Sequence, residues 1–258
     1  MTTRSVAARE HLERLLRVGT CLAESGYGAQ VGQLAACARA FRADAQLWTA
    51  YARHRGPSGR TTLMHAAQMG SMGRIQFLVE HGADVEAATT AEVQGSDFAA
   101  GTTVLMLACK EGRCEAVHFL VEDGHANVNA ARTTDGKTAL MWASQNGHLE
   151  TARFLVGLCG ANVNAMTTEG QTVLMWASQE GHLGIVRFLV EHGGANVNAA
   201  GTTDGHTALM SACELGHLEI VSWWSTGESM QTPRRLTTAT LPLCGPASAA
   251  TWRLCASW

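Results

Sequence analysis

The sequence predicts an all-α solenoid of stacked helix-turn-helix units joined by hairpin loops, with a helical N-terminal segment and a disordered C-terminal tail. Three observations predict it. One phrase recurs as Gly101-Thr-Thr-Val-Leu-Met-Leu-Ala, Gly136-Lys-Thr-Ala-Leu-Met-Trp-Ala, Gly170-Gln-Thr-Val-Leu-Met-Trp-Ala and Gly205-His-Thr-Ala-Leu-Met-Ser-Ala, with an earlier copy at Gly59-Arg-Thr-Thr-Leu-Met-His-Ala. The leading glycines of the last four copies stand 35, 34 and 35 residues apart, and the first interval is 42. A second phrase, Gly147-His-Leu-Glu, returns at Gly181 and Gly216 and opens apolar runs such as Ile185-Val-Arg-Phe-Leu-Val190. A third, Gly-Ala-Asn-Val-Asn-Ala, fills 160–165 and 194–199. A fixed period of this length marks units that bury their apolar faces on one another.

The elements follow in chain order. In residues 1–58, Leu12, Leu15, Leu16 and Leu22, then Val31, Leu34, Ala35 and Phe41, have helical spacing. This segment holds eight arginines and four acids, whereas residues 59–228 hold eight basic and eighteen acidic residues. Within a repeat, the fourth unit is representative. Thr172 is placed to cap a short helix, with Leu174 and Ala177 on one face. Gly181 ends it in a left-handed conformation. A second helix carries Ile185, Val186, Leu189 and Val190 inward, and Gly193 and Gly194 end it. The stretch from Asn196 to Gly205 turns the chain back.

Two places interrupt the pattern. Between Val85 and Gly101 the connection is about seven residues longer than its equivalents, and a projecting loop tolerates this at small entropic cost. It is either an inert bulge or a contact loop with Phe98 near its tip. The fifth unit keeps Gly216-His-Leu-Glu-Ile-Val221 but then reads Trp223-Trp224, which puts aromatic rings where an end unit normally has a polar outer face. The last thirty residues hold three arginines, three prolines and no acid, as a disordered tail or a segment read in an altered frame would.

Composition excludes several functions. The chain has 258 residues, 46% hydrophobic and 16% charged, with a net charge of −3. That balance argues against a nucleic-acid binder working through bulk positive charge. No apolar run is long enough to cross a bilayer, and the first twenty residues have no signal-peptide core. Eight scattered cysteines without C-x-x-C spacing fit reduced thiols in the cytoplasm or nucleus.

The three phrases resemble the ankyrin repeat, whose pattern runs G-x-T-P-L-H-x-A-A, then G-H-x-E-I-V, then L-L-x-x-G-A-D-V-N. The resemblance spans Gly59 to about Trp224 in five copies, the last incomplete, so residues 59–227 form the repeat domain between a 1–58 segment and a 228–258 tail. The departures are a methionine for the family's histidine, which removes the usual threonine–histidine hydrogen bond in most units, and one extra residue before Ala-Asn-Val-Asn in units two to four. The second helices should therefore end slightly irregularly. The stretch Leu34 to Trp48 also resembles the latter half of an F-box, without its opening; the alternative is a helical cap on the first repeat.

Candidate chemistry is sparse. His148, His182 and His217 are equivalent positions in consecutive units and cannot readily converge on one zinc ion; they read as turn residues bonding the backbone. No G-x-S-x-G elbow, P-loop or G-x-G-x-x-G after a strand is present. Cys109 and Cys114 near His118 read as small core residues, and Glu150 and Glu219 as solvated charges. No cofactor is implied. His65, Leu107, Trp142, Trp176 and Ser211 share one position on the first helices. The two tryptophans either pack between neighbouring units or offer an aromatic anchor on the inner surface.

The resemblance implies a non-enzymatic protein-interaction scaffold, active as a monomer, that grips a protein partner on a concave face. Carried over position by position, hairpin tips Asp135, Lys137, Glu169, Gln171, Asp204 and His206 line that face. The first helices add Lys110, Glu111, Trp142, Gln145, Asn146, Trp176, Gln179 and Glu180, with Glu214 beside them. This set is more acidic than basic and implies a partner with a polar or basic segment, not a nucleic acid or a membrane. Asn129, Asn164 and Asn198 match hairpin asparagines that are hydroxylated in some relatives. The F-box-like fragment offers an alternative: a substrate-recognition adaptor of a ubiquitin ligase.

Overall fold

A computed structural model describes residues 45–56, 59–90, 99–202 and 205–225. Most of the N-terminal segment, Phe98 of the long connection, Asp204 and the tail lie outside the described residues, as does the F-box-like stretch up to residue 44. A first helix, α1 (Ala45–Ala52), packs on the first of five helix pairs. The pairs are α2 (Thr62–Met69) with α3 (Met72–Glu80), α4 (Val104–Lys110) with α5 (Cys114–Glu122), and α6 (Ala139–Gln145) with α7 (Leu149–Gly157). They continue with α8 (Val173–Gln179) and α9 (Leu183–Glu191), then α10 (Ala208–Glu214) and α11 (Leu218–Ser225). First helices stack on first helices and second on second. The first helices lie closer together, so the stack bends toward them and their side is the concave one.

Each first helix begins for the same chemical reason. Thr61, Thr103, Thr138, Thr172 and Thr207 have extended backbones, and each hydroxyl accepts the amide N–H three residues on. In every unit but that of Thr138, the methionine at that third position completes the box. Its thioether Sδ accepts the threonine N–H at 3.4 Å from Thr61 and Thr172, 3.5 Å from Thr103 and 3.2 Å from Thr207. The bond that the family's histidine makes is thus replaced by one to sulfur, a weak acceptor but a buried one.

Helices of seven to nine residues cannot bury their own apolar stripe, and the core is shared. Leu63, Leu105, Leu140 and Leu174 from the first helices and Ile75, Leu120, Leu155 and Ile185 from the second are sealed in one continuous cluster. Polar groups tie neighbouring units together. His148 Nε2 donates to the carbonyl of Lys110 at 2.9 Å, His182 to Gln145 at 3.0 Å and His217 to Gln179 at 2.7 Å. The histidines therefore bond the backbone as expected, but that of the preceding unit. Each ring also lies against a glycine that no other residue could replace. Gly147 and Gly181 both have φ of 78°, and a Cβ there would stand 2.7 Å and 2.6 Å from the rings of His182 and His217.

The hairpins form a second ladder. Each closes through one antiparallel bridge, as between Ala131 and Thr138 or Met166 and Thr172. Asn129 Nδ2 donates to Gly160 O at 3.3 Å while its Oδ1 accepts from Asn162 N at 2.8 Å, and Asn164 repeats both bonds with Gly194 and Asn196. The long connection is pinned at its base in the same way. Ala88 bridges Thr103, Thr89 O accepts from Gly101 at 2.7 Å, and Thr89 Oγ1 donates to Ala99 O at 2.6 Å. The insertion leaves the register of the stack unchanged.

The extra residue of units two to four has the expected effect. In unit one, Leu78 O accepts from Ala83, five residues on; Leu120, Leu155 and Leu189 accept from Ala126, Ala161 and Ala195, six on. The widened turn needs a left-handed residue. Units three and four place Gly160 and Gly194 there, but unit two has His125, with φ of 53°. The sequence expectation for Trp223 needs correcting. Because α11 packs back on α9, Trp223 is buried, with the Arg187 guanidinium 5.9 Å from its ring and half-buried Trp224 tilted against it at 5.6 Å. The uncovered apolar surface of the last unit is instead Leu215 and Leu218.

Two stability predictions follow from the backbone and the core. Replacing His125 by glycine relieves a left-handed backbone that a β-carbon disfavours, and should raise unfolding free energy by about 1 kcal/mol in urea titrations. The hydroxyls of Ser144 and Ser178 are fully buried and bond no neighbour. Ser178→Ala should likewise stabilise by about 1 kcal/mol, since it removes a desolvated polar group that bonds nothing; a loss of stability would show a hidden partner.

Candidate protein-binding surface

The concave side is built from two kinds of position that the fold brings together. A tip residue follows each left-handed glycine of the hairpin, and a residue eight further on ends the first helix. The tip side chain folds across the helix onto that end. Arg60 donates to Gln68 at 3.3 Å, Lys137 to Gln145 at 3.1 Å, and His206 Nε2 lies 2.9 Å from Glu214 Oε1. Neighbouring hairpins are held in register by the backbone: Asp135 O accepts from Thr168 N at 2.9 Å, and Glu169 O from Thr202 N at 3.1 Å. The tips consequently stand as one row.

Of the expected surface, Asp135, Lys137, Glu169, Gln171 and His206 occupy the tips. Lys110, Gln145 and Gln179 end α4, α6 and α8. Glu111, Asn146 and Glu180 cap those helices at their C-termini. Asp204 lies outside the described residues. Glu169, Glu180 and Asn146 are exposed, and Asn146 Nδ2 turns back to the carbonyl of Trp142 at 2.9 Å. Glu180 Oε1 meets Gln145 Nε2 at 3.5 Å, linking units three and four.

The aromatic row is less open than an anchor would be. Trp142 is only 8% exposed and Trp176 is half-buried. Cations cover them. Lys110, Arg132 and Lys137 lie 5.4, 5.1 and 4.7 Å from the centre of the Trp142 ring, and Lys137 lies 3.6 Å from that of Trp176. The indoles thus pack between units and hold a cationic cluster by cation–π attraction.

Sequence reasoning missed Arg132. It forms a two-pronged ion pair with Asp135, one contact being Nε to Oδ1 at 2.8 Å. The legible signal was the opposite charge three residues apart at a hairpin. The helix-end clasp to Gln68 was missed too, although the eight-residue offset is periodic.

Electrostatics are set by this cluster. Burial raises the Asp135 carboxyl, but the Arg132 hydrogen bond, the Lys137 amide and both cations outweigh it and hold the group below the usual aspartate range. Burial pulls Lys137 below the usual lysine value, Asp135 opposes that, and Arg132 adds to it. Burial, then the neighbouring Cys114 and Cys159, push the Cys109 thiol far up, so it stays protonated and unreactive. Cys114 Sγ sits 3.1 Å from Thr151 Oγ1, and His118 stacks on Phe154 with ring centres 3.6 Å apart. Among the described residues, no three histidine, cysteine or acidic side chains gather as a metal site, and no helix is long and apolar enough to cross a membrane.

The pH dependence has a definite sign. Because the Asp135 carboxyl is more acidic in the fold than in the open chain, its stabilisation is complete above about pH 4 and is lost as pH falls through the folded value. Asp135→Asn should therefore be less stable than the parent at pH 7, and the gap should close in urea titrations taken toward pH 3.

The repeat geometry now has its counterpart among known proteins. A family model of ankyrin repeats, in three copies, matches residues 26–131, 88–167 and 156–224, while no curated protein matches the chain. The first match takes in residues 34–48, where an F-box resemblance was expected and is not supported. Ankyrin repeats are in general protein–protein interaction modules without catalytic activity. With more than half of its length so matched, and with capped helix pairs in register throughout, the chain belongs to the ankyrin-repeat family.

Proposed function

We propose that this protein is a non-enzymatic scaffold, monomeric and cytoplasmic or nuclear, that binds another protein across its concave face. The observation that carries the reading is the row of hairpin tips, fixed in register by hydrogen bonds from Thr168 to Asp135 and from Thr202 to Glu169. Such a row presents side chains at a constant spacing without loss of backbone order on binding, which favours affinity. Over units four and five the exposed groups are Glu169, Glu180 and Glu214, so a partner segment lying there is polar or basic. The ubiquitin-ligase adaptor reading rested on residues 34–48 and has no further support.

The test is affinity capture with the full chain at low and raised salt, beside a variant with Glu169, Glu180 and Asp204 reversed to lysine. Capture should weaken with salt, because exposed charges are screened within about 10 Å at 0.1 M, and should fall at least tenfold in the variant. Partners retained unchanged in both would show that binding lies elsewhere on the chain.

A further inference from the structure

One row of the concave face is apolar at both ends and polar between. Eight residues after the capping threonines of the five units stand Met69, Glu111, Asn146, Glu180 and Leu215. Met69 is 62% exposed and Leu215 is 55% exposed. That exposure belongs to the position and not to the ends of the stack, because Asn146 and Glu180, with a unit on each side, are exposed as well. A single exposed apolar side chain is ordinary. Here two share one register position at opposite ends of one trough, and Leu218, 44% exposed, extends the patch at Leu215. The charge between them is uneven. Over unit three Arg132 pairs with Asp135, and the Lys137 ammonium faces Asp135, Glu169 and Glu180. The acidic surplus lies over units four and five, where Glu169, Glu180 and Glu214 are all exposed.

We propose that the trough receives an extended segment of the partner with an apolar side chain at each end, one seated on Met69 and one on Leu215, and with basic residues beside the Leu215 end. This inference rests on the concave-face reading above and specifies the partner's chemistry. The five first helices stack side by side. At about 9 Å per step, four steps separate the two anchors by about 35 Å. An extended chain advances about 3.3 Å per residue, so the two apolar residues stand about ten apart, and an even separation keeps both on one face of the segment. Each anchor buries apolar groups that the row otherwise leaves in water. The basic residues meet Glu169, Glu180 and Glu214, and so decide which end of the segment lies over unit five.

The experiment titrates the full chain with three labelled peptides of equal length, followed by fluorescence anisotropy. In the first, two leucines stand about ten residues apart with lysines beside one of them. The second has the same composition with the leucines adjacent, and the third has serine in place of both. The first should bind at least tenfold more tightly than either of the others. Met69→Gln and Leu215→Gln give each end the polar character of the middle of the row. Each should remove most of that preference with an unchanged thermal melt, and the double variant should remove all of it. Equal binding of the first and second peptides would overturn the proposal, as would a preference that survives the double variant. Equal binding of all three, lost on reversing Glu169 and Glu180, would overturn the anchors while leaving the scaffold reading intact. If no peptide binds, the two-anchor segment fails, and the capture experiment decides the scaffold reading separately.

Discussion

Every feature of this molecule depends on the inability of one unit to bury its own apolar stripe. A pair of helices of seven and nine residues has too little inner surface to offset the entropy of ordering it. Leu140 or Leu174 is sealed only because a unit stands on each side. Interfaces between units are therefore where the stability resides, and those between units two and three and between three and four share three devices: a common aliphatic core, a histidine bonded to the preceding carbonyl, and an asparagine bridging adjacent hairpins; between units one and two Arg113 bonds the Gln68 carbonyl in the histidine's place.

That constraint also produces the surface. Since the first helices sit closer together than the second, the stack bends, and the tips and helix ends of successive units face one trough. Most side chains in the trough stand clear of the shared core, although Gln145 with Glu180 and Lys137 over Trp176 reach across to the next unit. Trp142 is the exception: it packs between units and also organises the cations above it.

Much of this was legible in the sequence. The threonine before each Leu-Met pair, the period of the glycines and the alternation of apolar residues in Ile185 to Val190 identify the units, because caps, breakers and helical spacing are local properties. What was not legible depends on distances across units. Nothing in Gly-His-Leu-Glu says that the ring reaches back to the preceding helix, and nothing in Trp223 says which side of its helix is covered. The methionine in the capping position looked like a lost bond, because propensity rules reserve that place for a charged or amide acceptor. The cluster around Trp142 was half legible: its aromatic position was periodic, but the tip residue that closes over it lies on another part of the unit.

The sulfur caps carry a consequence for ageing of the protein. Met64, Met106 and Met175 are sealed from solvent while their units are stacked, so oxidants reach them only when a unit swings open. A sulfoxide formed at that moment adds a polar oxygen to a side chain that must return to a dry interface, and the opened unit then cannot close as before. Damage in such an array is ratcheted: brief excursions become permanent, starting at whichever end frays most often and moving inward one unit at a time.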